Sequence, residues 1–165
     1  MSVLSWNCWG LGSTPTIRLL TDEVSSKHPT LVFLAETKAQ TSRIKGLQQK
    51  LNFTQGIVVP SDSWSGGLAL LWKEGTVVHF KSCSHSHIDV VVVEEDGGGT
   101  WRATSFYGHP HIGMHFSSWE LLKKLHSQAV LPWVIFGDFN EILHLDEKLG
   151  GKERDSNQMD ALGKH

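Results

Sequence analysis

The chain is poor in the residues that staple or anchor a protein. Its 165 residues include 2 cysteines, Cys8 and Cys83. Two cysteines cannot build a disulfide framework or a cysteine-rich zinc site, so a reduced, intracellular compartment with no disulfide partner is expected. No apolar run approaches the ~20 residues that cross a bilayer, which argues against a membrane role. The first residues lack the basic start and long apolar centre of a signal peptide. Charge of one sign is also scarce. The formal net charge of −2 excludes a chain that coats nucleic acid by bulk charge, while a local basic groove stays open. With 39% hydrophobic and 19% charged residues, disorder is not expected, and the length suits one domain with a sizeable core.

Tryptophan and histidine are plentiful instead, with 7 and 10 copies. Tryptophan serves cores, and also surfaces on which bases or other proteins stack.

Continuous apolar runs predict strands covered on both faces at Leu31-Val32-Phe33-Leu34 and Trp133-Val134-Ile135-Phe136, and Leu68 to Trp72 predicts a further strand. Further strands are expected at Val3 to Asn7, Gly56 to Val59, Val77 to Ser82, Ile88 to Val93 and Trp101 to Tyr107, with Asp96-Gly97-Gly98-Gly99 as a hairpin turn. Thr14 is the expected cap of a helix with Pro15 in its first position, carrying Ile17, Leu20 and Val24 at helical spacing. Thr41 or Ser42 opens a second, with Ile44, Leu47 and Leu51 on one face. Ser117 and Glu120 form a capping box for a third, which Pro132 stops. After Asn140 the chain becomes charged, and it ends on a half-formed apolar pattern at Met159 and Leu162. Strand, helix, strand, helix, five strands, helix, strand predicts a single layered α/β domain with a mixed sheet.

Several strands end on a polar residue: Asn7, Glu36, Tyr107, and Asp138 with Asn140. Asp138 and Asn140 stand two apart, hence on one side of an extended segment. An Asx turn would explain them. So would a ligand site at the carboxyl end of a buried strand. If the strand ends point the same way, two carboxylates, two amides and a phenol share one cleft. Magnesium favours such oxygen-rich sites.

Five segments then occur in a telling order: Ser5-Trp6-Asn7-Cys8-Trp9-Gly10-Leu11-Gly12, Leu34-Ala35-Glu36-Thr37-Lys38, Ser65-Gly66-Gly67-Leu68-Ala69-Leu70-Leu71-Trp72, Phe106-Tyr107-Gly108-His109-Pro110 and Phe136-Gly137-Asp138-Phe139-Asn140-Glu141-Ile142-Leu143. Together they resemble the endonuclease/exonuclease/phosphatase superfamily, and most of all the N-terminal endonuclease domain of plant-type non-LTR (LINE) retrotransposon proteins. The resemblance spans almost the whole chain. It implies a four-layer α/β sandwich, two packed mixed sheets flanked by helices, with the site in a cleft at one end. It implies that Glu36 holds a divalent metal, magnesium or manganese, with Asn7 beside it. Asp138 and Asn140 would position the attacking water and the phosphate, and Tyr107 would contact the scissile phosphate. The reaction implied is hydrolytic nicking of DNA, in the nucleus, to prime reverse transcription.

The family pattern closes with further strands, another acidic residue and a Ser-Asp-His motif. Here His165 follows Lys164, so no catalytic role passes to it. A domain lacking its final strands leaves edges and core unpaired. The expectation is therefore a truncated copy, incomplete at the C-terminus, weak as a nuclease and marginally stable. A non-catalytic, nucleic-acid-binding remnant and a small-molecule phosphatase are the competing identities.

Lys38, Arg43, Lys45 and Lys50 follow Glu36; they suit backbone phosphates and equally a solvated helix face. His109 stands next to Tyr107 and is a candidate for facing substrate. His111 and His115 have a spacing that zinc can use on a helix, but Pro110 and Gly113 argue against a helix there. His85, His87, His111 and His115 are expected to be exposed loop residues.

Overall fold

The apolar runs become the centre of a first sheet. In the computed structural model, which describes residues 1–62, 66–94 and 97–141, strands β1 (Val3–Asn7), β2 (Leu31–Ala35), β3 (Gln55–Val59) and β4 (Leu68–Trp72) pair in the order β1-β2-β4-β3. β1 and β2 run parallel; the other two pairings are antiparallel. Every residue of β2 and β4 is buried. Alternation explains why both faces must be apolar. Leu31, Phe33, Leu68, Leu70 and Trp72 pack toward the second sheet. Val32, Leu34, Ala69 and Leu71 pack toward helices α1 (Thr14–Lys27) and α2 (Thr41–Lys50), through Leu20, Val24, Ile44 and Leu47.

The second sheet has the order β5-β6-β7-β8, from β5 (Val77–Ser84), β6 (His87–Glu94), β7 (Gly99–Tyr107) and β8 (Trp133–Asp138). β5, β6 and β7 form an antiparallel meander, and β8 lies parallel to β7. Ile88, Val90, Val92, Ala103 and Tyr107 face the first sheet. Helix α3 (His115–His126) covers the outer side, tied there by Arg102. The layers are therefore helices, sheet, sheet, helix: the four-layer α/β sandwich. No described helix is long and apolar enough to cross a membrane.

Four expectations need correction. β8 is half-buried rather than covered on both faces; Val134 is 49% exposed, and β8 ends the strand order among the described residues. Ser13, not Thr14, caps α1, its Oγ accepting from Thr16 N. α3 begins at His115 after a single 3₁₀ turn at Ile112–Met114, and Ser117 Oγ donates back to Met114 O instead of forming a capping box. His87 and His115 are buried, not exposed. The hairpin turn at Asp96, the Ser65 end of the third motif, Ile142 and Leu143 of the fifth, and the charged stretch to His165 lie outside the described residues.

A buried ion pair anchors the outer layer. Asp89 and Arg102 are each 1% exposed. Arg102 Nε donates to Asp89 Oδ1 at 2.9 Å and Nη2 to Oδ2 at 2.9 Å, while Nη1 reaches Leu125 O at 2.7 Å. Thr104 Oγ1 donates to Asp89 Oδ1 at 2.7 Å and accepts from Trp133 Nε1 at 2.8 Å. The network joins β6, β7, β8 and α3. Removing one charge strands the other in the core, which costs about 3–5 kcal/mol. Arg102→Ala is expected to lower unfolding stability by about that amount, measured by urea denaturation. The double change Asp89→Leu with Arg102→Met is expected to cost less than Arg102→Ala alone.

Candidate active site

Two parallel strand pairs deliver the site. β1 and β2 end together, Asn7 opposite Ala35. Their ladder continues beyond the strands: Cys8 N donates to Ala35 O, Gly10 N to Glu36 O and Leu11 N to Thr37 O, each at 2.8 Å. On the other flank Thr37 N and Lys38 N donate to Gly67 O and Gly66 O at 3.0 Å. Glu36 is thus held on both sides by backbone. Gly67 has φ +86, and a Cβ there would collide with Thr37 Oγ1. β7 and β8 also end together, Tyr107 opposite Asp138. Gly137, at φ +144, lets β8 approach so closely that a Cβ would strike Phe106 O.

Side chains then join the pairs across the sandwich. Asn7 Nδ2 donates to Asp138 Oδ2 at 2.7 Å and to Glu36 Oε1 at 3.3 Å. Tyr107 Oη donates to the same Glu36 oxygen at 2.7 Å, and Lys38 Nζ stands 3.5 Å from Glu36 Oε2. Asp138 Oδ1 accepts from Asn140 N at 3.0 Å, while Asn140 Nδ2 donates to Gly108 O at 2.7 Å. One Asp138 oxygen closes an Asx turn, and the other accepts from Asn7. Asn140 does not continue the extended strand; its φ is 52.

Burial opposes ionisation of Glu36, but the hydrogen bonds from Tyr107 and Asn7 and the Lys38 ammonium outweigh it. Its carboxyl is held below the ordinary 4.5. Burial, and then the bond to Glu36, push the Tyr107 hydroxyl well above its ordinary 10, so it remains a donor. Burial, helped by the Glu36 charge, pushes the Cys8 thiol up to about 12. Cys8 therefore offers neither nucleophile nor soft ligand. The metal-binding groups that remain are the oxygens of the Glu36 and Asp138 carboxylates, while Asn7 turns its Nδ2 toward both and its Oδ1 accepts from Trp9 N. With a cation already drawn to Glu36, those oxygens fit a hard divalent ion.

The other candidates are less central. Arg43 donates from Nε to Leu11 O at 2.8 Å and from Nη2 to Gly12 O at 3.4 Å, bracing the loop after β1. His109 N donates to Ser118 Oγ at 2.9 Å, and its Nδ1 accepts from His111 N at 3.1 Å. His115 turns inward, its Nδ1 2.5 Å from Glu141 Oε1, so His111 and His115 serve different partners. That inward pair fastens the segment after Asn140 to α3. It was not foreseen, because only tertiary contact distinguishes it from an exposed histidine. The clamp by Gly66-Gly67 was likewise missed, although two adjacent glycines signalled a close approach.

The fold and site define a member of the Endonuclease/Exonuclease/phosphatase family. The family profile matches residues 4–159, and the chain belongs to it. Members are generally dependent on divalent metal. No curated protein matches the chain. Among solved structures, the endonuclease domain of TRAS1, a telomere-specific non-LTR retrotransposon, aligns with TM-score 0.67 and 17% identity over 98% of this chain and 70% of its own. The human Nocturnin catalytic domain aligns with TM-score 0.60 and 17% identity, over 86% of this chain and 64% of its own. The 3′ phosphatase NExo from Neisseria, bound to product DNA hairpin, aligns with TM-score 0.62 and 16% identity, over 85% of this chain and 58% of its own. At such identities the likeness is one of fold. The chain spans less than two thirds of the latter two.

Two outcomes test the geometry. Gly137→Ala forces a side chain into a left-handed, sterically closed position and is expected to cost about 1–3 kcal/mol or more, read by thermal unfolding. Tyr107→Phe removes a donor that favours the Glu36 carboxylate, so the Glu36 pKa is expected to rise. The stability that Glu36 contributes, present above 4.5 and lost as pH falls through its folded value, is then lost at a higher pH. NMR titration of the Glu36 carboxyl carbon checks the direction.

Proposed function

We propose that this domain hydrolyses DNA phosphodiesters as a divalent-metal-dependent endonuclease of the non-LTR retrotransposon type, acting in the nucleus. The observation that carries the proposal is the single Asn7 amide touching both carboxylates, which arrive on different sheets. Glu36 would hold magnesium or manganese, with Asn7 beside it. The ion, when bound, would polarise a phosphoryl oxygen and steady the departing oxyanion.

The chain's own groups supply the rest. Asp138, fixed by Asn7 and by the Asn140 N–H, orients a water and accepts its proton. Asn140 and Tyr107 contact the scissile phosphate. Lys38 and His109 flank that position and meet neighbouring phosphates. Arg43, on α2 beside the loop it braces, reaches the DNA backbone. Phosphate contacts of this kind fix register without reading sequence.

Supercoiled plasmid with magnesium is the direct assay. Weak nicking is expected in the native chain and none in Glu36→Gln. Asp138→Asn is expected to slow it by roughly 10²–10⁴-fold, the scale of general-base help. Nicking that is unchanged in Glu36→Gln overturns the proposal. Release of inorganic phosphate from a 3′-phosphorylated oligonucleotide, without nicking, points instead to a phosphatase.

A further inference from the structure

Trp9 stands two residues beyond Asn7, and no step above uses it. Its side chain is 78% exposed, whereas the other described tryptophans are buried or half-buried. The backbone beneath it is fixed. Trp9 N donates to Asn7 Oδ1 at 3.2 Å, and its neighbours Cys8 and Gly10 both pair with the segment around Glu36. Its φ is 49, an unfavourable conformation for a bulky residue. A large flat ring on a fixed backbone, left in water two residues from Asn7, suits a ligand with a flat apolar face. The Lys38 stem runs alongside Gly10, with Cδ 3.6 Å from where a Gly10 Cβ would lie. An aromatic surface and an ammonium therefore share this rim, the combination that single-stranded nucleic acid sites use.

We propose that Trp9 is a stacking platform for an unpaired nucleobase next to the scissile phosphate. It sets specificity and takes no part in bond breaking. Inside a continuous duplex both faces of each base are already covered by neighbours. Only an unpaired or opened nucleotide offers Trp9 a free face, so the site prefers single-stranded or locally opened DNA. This inference rests on the endonuclease reading above.

The test measures binding of labelled DNA by anisotropy, with calcium in place of magnesium. The probes are a single strand, the same strand with abasic positions, and a continuous duplex. Trp9→Ala is expected to bind the single strand about 10-fold more weakly or worse, and the duplex unchanged. Trp9→Phe is expected to retain most of the affinity, and Trp9→Leu, with bulk but no flat ring, to lose it. The native chain is expected to lose a similar factor on the abasic strand. Trp9 is exposed, so thermal unfolding of these variants is expected to match the native chain. Equal affinity of native and Trp9→Ala chains for the single strand overturns the inference. If the native chain nicks plasmid in that case, only the stacking role falls. If it neither binds DNA nor nicks, the endonuclease reading falls with it.

Discussion

Two carboxylates brought into one cleft repel each other unless donors stand between them. Asn7 answers that constraint. Its amide has two hydrogens and no charge, and it gives bonds to Asp138 and Glu36 together. Tyr107 and Lys38 add a phenol and an ammonium on the Glu36 side. Without these donors the two negative charges would face each other directly. With them, Glu36 ionises more readily than a free glutamate despite its burial. The cluster is thus ready to receive positive charge.

The topology explains how residues so far apart in sequence can meet. Antiparallel neighbours end at opposite edges, so a hairpin cannot place two strand ends side by side. Among the described residues each sheet contains one parallel pair, β1 with β2 and β7 with β8. Each pair sends two carboxyl ends to the same edge. Packing of the sheets, with Phe33 against Phe136 at a centroid distance of 6.3 Å, brings the two edges into register. The buried Arg102 network keeps β8 and α3 in place behind that edge, so it supports the position of Asp138 from the far side of the sheet.

How much of this could be read from the chain follows from where the information lies. β2 and β4 were legible because a strand packed on two faces must be apolar at every position, and that pattern is local. The strand ends were legible because polarity returns abruptly at Asn7, Glu36 and Asp138. β8 misled: Trp133 to Phe136 has the same apolar look as β2, yet it is half-buried. Hydropathy reports what a residue tolerates, not what has been placed against it. The Asp89–Arg102 pair was illegible for the same reason. A charged residue within a strand normally marks a solvent face, and only the covering helix α3 converts it into a buried link. The capping of α3 failed because Ser and Glu three apart satisfy the pattern wherever the helix begins. Convergence itself rested on strand directions, which no local pattern encodes.

Backbone strain carries the last piece of physics. Six described residues other than glycine have positive φ: Trp9, His28, Glu36, Lys38, Asn52 and Asn140. His28 and Asn52 lie at the ends of α1 and α2, where a left-handed residue is the ordinary way to stop a helix. The remaining four all line the candidate site. Each would sit more easily there as glycine, by roughly 1–2 kcal/mol. Glycine, however, brings no carboxylate, ammonium, amide or indole. The surrounding pairing offsets the strain: backbone bonds hold Glu36 on two sides, and Asp138 holds the Asn140 N–H. Strain that is over-determined by its neighbours and confined to one cleft marks positions where side-chain chemistry outweighs conformational ease. By that criterion Trp9 belongs with Glu36, Lys38 and Asn140, although nothing in its composition resembles theirs.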